Sequence, residues 1–174
     1  MMSRALDALY RGAAVLAACC IAAICLLISA QVLLNAGTRA GLPLPPTIPS
    51  YADFAGYLLA AATFLALPWT LRTGGHVRVN LVTSRLPERA AWAVELVVLA
   101  AGTGFAGYAT TYAAILAEES RRFGDVSSGI VAIPTWIVQL PMVAGLALLT
   151  AALGQSLFET WAARRPVLGG GEEA

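Results

Sequence analysis

The sequence predicts an all-α integral membrane protein with four transmembrane helices and both termini on the cytoplasmic side. Three observations carry this. Of 174 residues, 59% are apolar and 12% charged, with a mean hydropathy of +0.74, where an ordinary soluble domain is about 25% charged. Four apolar stretches, Gly12 to Leu34, Tyr51 to Leu71, Trp92 to Leu116 and Pro134 to Trp161, exceed the roughly 18 residues that cross about 30 Å of hydrocarbon. The arginines are unevenly divided. With four spans, Arg4, Arg11, Arg72, Arg78, Arg85, Arg89, Arg164 and Arg165 fall on one side, and Arg39, Arg121 and Arg122 on the other; the richer side is cytoplasmic. Residues 1–174 therefore read as a single membrane domain.

The same composition narrows function. Eleven basic residues against ten acidic ones leave a net charge of +1, which offers no basic surface to a nucleic-acid backbone. The three cysteines, Cys19, Cys20 and Cys25, lie inside one apolar run without a CxxC pair, so a dithiol oxidoreductase is poorly supported. His76 is the one histidine, too few for the two axial ligands of a membrane haem. Neither a cofactor site, a metal site nor a catalytic constellation is legible, and the chain does not read as an enzyme.

The first span follows Arg4 and Arg11, an arrangement shared with cleaved signal peptides. Its apolar core runs beyond 20 residues, longer than the roughly 7–15 of a secretory signal, and it reads as a retained helix. The following loop, Thr38 to Ser50, holds Pro43, Pro45, Pro46 and Pro49. Proline lacks an amide donor and favours extended chain, which makes this loop a stiff connector. The second span opens next to Asp53.

In the middle loop, Val79, Val82 and Leu86 recur at helical spacing, with Arg78, Asn80 and Arg85 elsewhere on the wheel. This fits a short interfacial amphipathic helix or a plain basic loop, after which Pro87 opens the third span. That span continues through Ala117-Glu118-Glu119-Ser120-Arg121-Arg122 to Gly124 because nothing there breaks a helix. From Trp92 to Arg122 the helix would measure about 46 Å, so it tilts or projects from the membrane. Its charged end is either a docking edge for a soluble partner or a solvated terminus with local salt bridges. In the fourth span Pro134 and Pro141 provide kinks, and Gly145 follows one turn later. Residues 165–174 read as a disordered tail.

Aromatic residues mark the span ends. Tyr10, Trp69, Trp92 and Trp161 fall at cytoplasmic ends, and Tyr51, Tyr112 and Trp136 at outer ends. The four tryptophans are the expected interfacial anchors. Polar groups within the spans are few: Asp53 and Glu95 lie in terminal turns, so no ion or proton relay is legible. Gln31, Asn35 and Gln139 are suited to joining helices by hydrogen bonds. A helix-packing face is expected on the third span, where Thr103, Gly107 and Thr111 repeat every four residues and Gly102 pairs with Ala106.

Two longer patterns carry a family resemblance. One is Arg72-x3-His76-Val77-x-Val79-Asn80 followed by Leu86-Pro87 and Arg89; the other is Gly124-Asp125-Val126-Ser127-Ser128-Gly129, then Ile133-Pro134-Thr135-Trp136-Ile137 and Pro141-x3-Gly145. From about Val32 to Thr150 the chain resembles the small permease subunit, the DctQ-like component, of tripartite ATP-independent periplasmic (TRAP) transporters. Asn80 stands where that family often has aspartate, which removes a charge. Ala52-Asp53 supplies one carboxylate where an acidic pair is common.

The resemblance implies a multi-pass scaffold in a bacterial inner membrane. Its expected partners are a large elevator-type permease subunit, which holds the sodium and substrate sites, a periplasmic binding protein that delivers a small organic acid, and membrane lipids. On this basis Arg72, His76, Arg78, Asn80, Arg85 and Arg89 are candidate anchors of the cytoplasmic edge, through lipid phosphate or the partner. Glu118, Arg121, Arg122 and Asp125 are the candidate periplasmic docking edge. Two rivals differ in class: a self-contained four-helix transporter or channel that dimerises through Thr103, Gly107 and Thr111, and a membrane enzyme using the cysteines.

Overall fold

The structure, a computed structural model, describes residues 2–74 and 87–164. The proposed interfacial helix of the middle loop, with His76, Arg78, Asn80 and Arg85, and the expected 165–174 tail lie outside the described residues. Four helices make up nearly all of the rest: α1 (Met2–Arg39), α2 (Tyr51–Arg72), α3 (Glu88–Phe123) and α4 (Thr135–Ala163). All four are long and apolar enough to cross a membrane.

The helices outrun the apolar stretches that predict them. α1 begins ten residues before Gly12 and carries Arg4, Asp7 and Arg11 on helical backbone. α3, at 36 residues, is about 54 Å long. It stops at Gly124, whose φ of 68° is a left-handed conformation that glycine adopts without strain, and the Asp125 amide then donates to the Ser120 carbonyl at 3.0 Å. At its other end Pro87 caps the helix in extended conformation, and the amides of Ala90 and Ala91 donate to its carbonyl.

Packing follows the order α1, α2, α4, α3, with the remaining helix pairs touching only marginally. The helices therefore form a row, and α1 and α3 are its edges. The seams are made of small side chains. α1 turns Tyr10, Ala13, Ala17, Cys20, Ile24, Leu27, Gln31 and Leu34 inward, spacings that alternate three and four and keep one stripe aimed at α2. On α3, Leu99, Ala106, Ala113 and Ser120 are buried at intervals of seven, joined by Ala117; on α4 the buried positions are Gly145, Ala152, Ser156 and Thr160. Lipid tails are as apolar as leucine, so the association of such helices depends on close backbone approach and on hydrogen bonds between them.

The expected packing face of α3 is part of this seam. A Cβ on Gly102 would stand 3.7 Å from Leu153, one on Gly107 would stand 3.7 Å from Thr150, and one on Gly154 would stand 3.9 Å from Thr103. Ala106 is buried. Thr111 departs from the pattern: it is exposed, and its hydroxyl donates to its own helix at Gly107. Thr110 turns to α4 instead, its Oγ1 3.1 Å from that of Thr150. A strict four-residue repeat precesses by about 40° per step around an α-helix, whereas a seven-residue repeat drifts by only about 20°, so the former leaves the seam within two steps.

Candidate functional site

The near end of the row is where α1 and α3 start and α2 and α4 finish. The last turn of α2 places Arg72 between the first turns of α1 and the last turns of α4. Its guanidinium grips Glu159 with two hydrogen bonds, Nη1 to Oε2 at 2.7 Å and Nη2 to Oε1 at 3.2 Å. Nη1 also donates to the Ser156 hydroxyl at 3.2 Å, and Nε lies 3.9 Å from the Asp7 carboxylate. Gln155 donates to Glu159 at 2.9 Å, and the fully buried Tyr10 hydroxyl donates to Gln155 at 3.2 Å. One continuous polar clamp thus joins α1, α2 and α4.

The planar fork of arginine matches a carboxylate in two places at once, which lysine cannot do. The Arg72 side chain is 18% exposed and that of Glu159 30%, so the pair is shielded but not sealed. α3 is tied in beside it: the Trp92 indole donates to the Thr160 carbonyl at 2.9 Å, and the Thr160 hydroxyl reaches Glu95 at 3.5 Å. All four helices are cross-linked at this end.

This alters the role read for Arg72. Expected as a cytoplasmic-edge anchor toward lipid phosphate or a partner, Arg72 in the chain by itself turns toward Glu159, Ser156 and Asp7. Arg89 is exposed. Glu159 and Asp7 have no conspicuous spacing of their own in the sequence. The available signal is the face formed by Gln155, Ser156, Glu159 and Thr160 on the last turns of an otherwise apolar helix.

The far end is closed by loops. Gln31 Oε1 accepts the Ile48 amide at 2.7 Å and the Thr47 hydroxyl at 3.4 Å, which folds the proline-rich connector back onto α1. The α3–α4 connection pairs Val126 with Pro134 and closes through Ser127 and Ile133. It rests on the start of α2: the Val131 amide donates to Ser50 Oγ at 3.0 Å, and Gly129 approaches Asp53 so closely that a Cβ there would overlap the carboxylate. Asp53 is thus held in the first turn of α2, near the positive end of the helix dipole. Among the described residues Gln139 makes no hydrogen bond to another helix, and its Oε1 is buried without a partner there. Asn35 is exposed.

At the end of α3, Glu118 bonds Arg122 at 3.0 Å and lies 4.0 Å from Arg121, with all three well exposed. Asp125 is also exposed. Of the tryptophans, Trp69, Trp92 and Trp161 gather at the near end and Trp136 lies at the far end. Trp161 is 62% exposed beside Phe158.

Of the patterns quoted above for the TRAP small subunit, the described residues hold Arg72 in the last turn of α2, Pro87 and Arg89 at the start of α3, and the Gly124–Pro134 turn that leads into α4. A family model described as "Tripartite ATP-independent periplasmic transporters, DctQ component" matches residues 24–163. The chain belongs to this family. Comparison with curated proteins and with solved structures gave no match. The DctQ component is a part of a transporter rather than an enzyme, and it works with a large permease and a periplasmic binding protein. The matched region covers the second part of α1, all of α2, α3 and α4 and both far-end loops, so Arg72, Gln155, Ser156 and Glu159 of the clamp lie within it and Asp7 and Tyr10 before it. In this DctQ component the Thr103–Gly107 surface is occupied by α4, and it is not free to be the seam of a homodimer.

Proposed function

We propose that this chain is the static small subunit of a sodium-coupled TRAP transporter importing a small organic acid across a bacterial inner membrane. Both termini lie in the cytoplasm, and the helix row braces the large elevator-type subunit. The observation that carries the reading is the family membership together with the use of polar groups. Arg72, Glu159, Gln155 and Ser156 bond to one another and hold helices in place. A frame requires this; a substrate site would leave polar groups directed at a cavity.

Under this reading Trp69, Trp92, Trp136 and Trp161 fix the frame at the two membrane surfaces. Arg89, with His76, Arg78, Asn80 and Arg85, serves the cytoplasmic edge, whereas Arg72 braces it from within. Arg121, Arg122, Glu118 and Asp125 form the outer edge near the docked binding protein.

The test is reconstitution. Proteoliposomes holding this chain, the large subunit and the binding protein should take up organic acid when sodium is higher outside. Vesicles with this chain alone should take up none. Uptake by the chain alone would overturn the proposal and restore the self-contained transporter.

A further inference from the structure

The two edges of the row differ in chemistry. On α1 the exposed large side chains between Val15 and Leu33 are aliphatic: Val15, Leu16, Ile21, Leu26, Ile28, Val32 and Leu33. They suit acyl chains. On α3 the exposed side chains are aliphatic toward both ends, Val97, Val98, Ile115 and Leu116, but between them stand Phe105, Tyr108 and Tyr112, exposed by 77%, 63% and 56%. The two tyrosine rings lie against each other with centroids 4.4 Å apart. Neither hydroxyl has a hydrogen-bond partner among the described residues.

The depth of these hydroxyls follows from the α3–α4 seam. Thr150 lies at the midpoint of α4, and it meets Gly107 and Thr110 of α3. Tyr108, between them in sequence, is therefore level with the middle of a membrane-crossing helix. Tyr112 is one turn farther, about 6 Å along the axis, still inside a hydrocarbon half-thickness of about 15 Å and not at the outer end expected for it, because α3 runs on to Phe123. Cα–Cβ bonds tilt toward a helix N-terminus, which for α3 is the near end, so the Tyr112 side chain starts toward the mid-plane and away from the far surface.

Tyrosine favours the membrane surface because its hydroxyl needs a polar neighbour. Two unsatisfied phenols facing tails at mid-depth are costly. We infer that the Phe105–Tyr108–Tyr112 edge of α3 is the face covered by the large permease subunit, through a membrane helix that presents hydrogen-bond acceptors to the two hydroxyls. The α1 edge faces lipid. This rests on the scaffold reading and names the surface it uses. Ala101 and Gly104 are exposed beside the aromatic stripe, and a Cβ on Gly104 would meet nothing within 4 Å, which leaves room for a helix backbone to approach.

The experiment places a photo-reactive benzoylphenylalanine at position 105, 108 or 112, or at position 26 or 33 on α1, in the complex co-expressed with the large subunit. Adducts of the combined mass of the two subunits are expected from the α3 positions and not from α1. In parallel, Y108F/Y112F keeps both rings and removes both hydroxyls. It should lower the large subunit retained after a stringent detergent wash several-fold, with the melting temperature of the isolated chain unchanged. Adducts from α1 alone, adducts of two copies of this chain, or lipid adducts alone from positions 108 and 112 would each overturn the inference while co-purification left the scaffold reading standing. Failure of the unsubstituted chain to co-purify would overturn both.

Discussion

Gly145 of α4 lies directly on the backbone carbonyl of Phe64 in α2, so close that a Cβ at Gly145 would overlap both its oxygen and its carbon. The position is set by Pro68, four residues after Phe64 and fully buried. Proline has no amide to return to that carbonyl, and its ring pushes the preceding turn aside. The freed carbonyl then faces the one kind of residue on α4 that lets backbone meet backbone.

Gly145→Ala should therefore lower stability by about 1–3 kcal/mol, the range for overpacking a tight seam. Gly56→Ala, where a Cβ meets nothing within 4 Å, should be neutral or stabilising by about 0.5–1 kcal/mol because glycine is costly within a helix. Thermal unfolding in detergent, followed by circular dichroism, compares the two. Equal behaviour would show that α2 and α4 do not meet at this glycine.

The clamp predicts a coupled pair. Arg72→Ala leaves the Glu159 carboxylate shielded without its partner and should cost roughly 2–3 kcal/mol. Glu159→Gln, which keeps a hydrogen-bond acceptor, should cost less. In the cycle with Arg72→Ala and Glu159→Ala, the double substitution should be milder than the two singles added together, since neither charge is then stranded. Strict additivity would mean that the pair contributes nothing to holding α2 against α4.

Adjacent threonines on α3 should respond differently. Thr110→Val removes the hydroxyl that meets Thr150 and should cost about 0.6 kcal/mol, the average for such bonds within membranes. Thr111→Val removes only a bond to the Gly107 carbonyl of its own helix, and the isolated chain should lose no stability. A reversed order would place the seam on the other face of α3.

At the far end, Ser50 adopts a left-handed φ of 55° while its hydroxyl accepts the Val131 amide. Ser50→Ala keeps the unfavourable backbone and removes that bond, so a loss of about 1 kcal/mol is expected. Hydrogen exchange at Val131 should accelerate selectively. Gly129→Val should release the same loop by driving its side chain into Asp53. Unchanged exchange in both variants would mean that the loop is held by its own internal bonds alone.

Four membrane-length helices, the proline-rich connector and the extension of α3 past Leu116 are legible in the one-dimensional pattern. Crossing hydrocarbon is a demand on consecutive residues, and a helix continues until a glycine or proline stops it. The family patterns are legible for a related reason: Gly124, Pro134 and Pro141 act on their own backbone. The seam residues Gly102, Thr103, Ala106 and Gly107 could be read because small side chains recur along one helix. The exchange of Thr111 for Thr110 could not, since it depends on how far α3 rotates against α4.

Pairings across the chain escape any such reading. Arg72 and Glu159 stand 87 positions apart, and Phe64 meets Gly145 through a carbonyl that Pro68 leaves free. Hydropathy and loop length permit many neighbour orders for four apolar rods. The row α1, α2, α4, α3 emerges only when small residues, a proline bend and one arginine fork are satisfied together, because close-packed helices accept few registers in which backbones can touch and no charge is stranded.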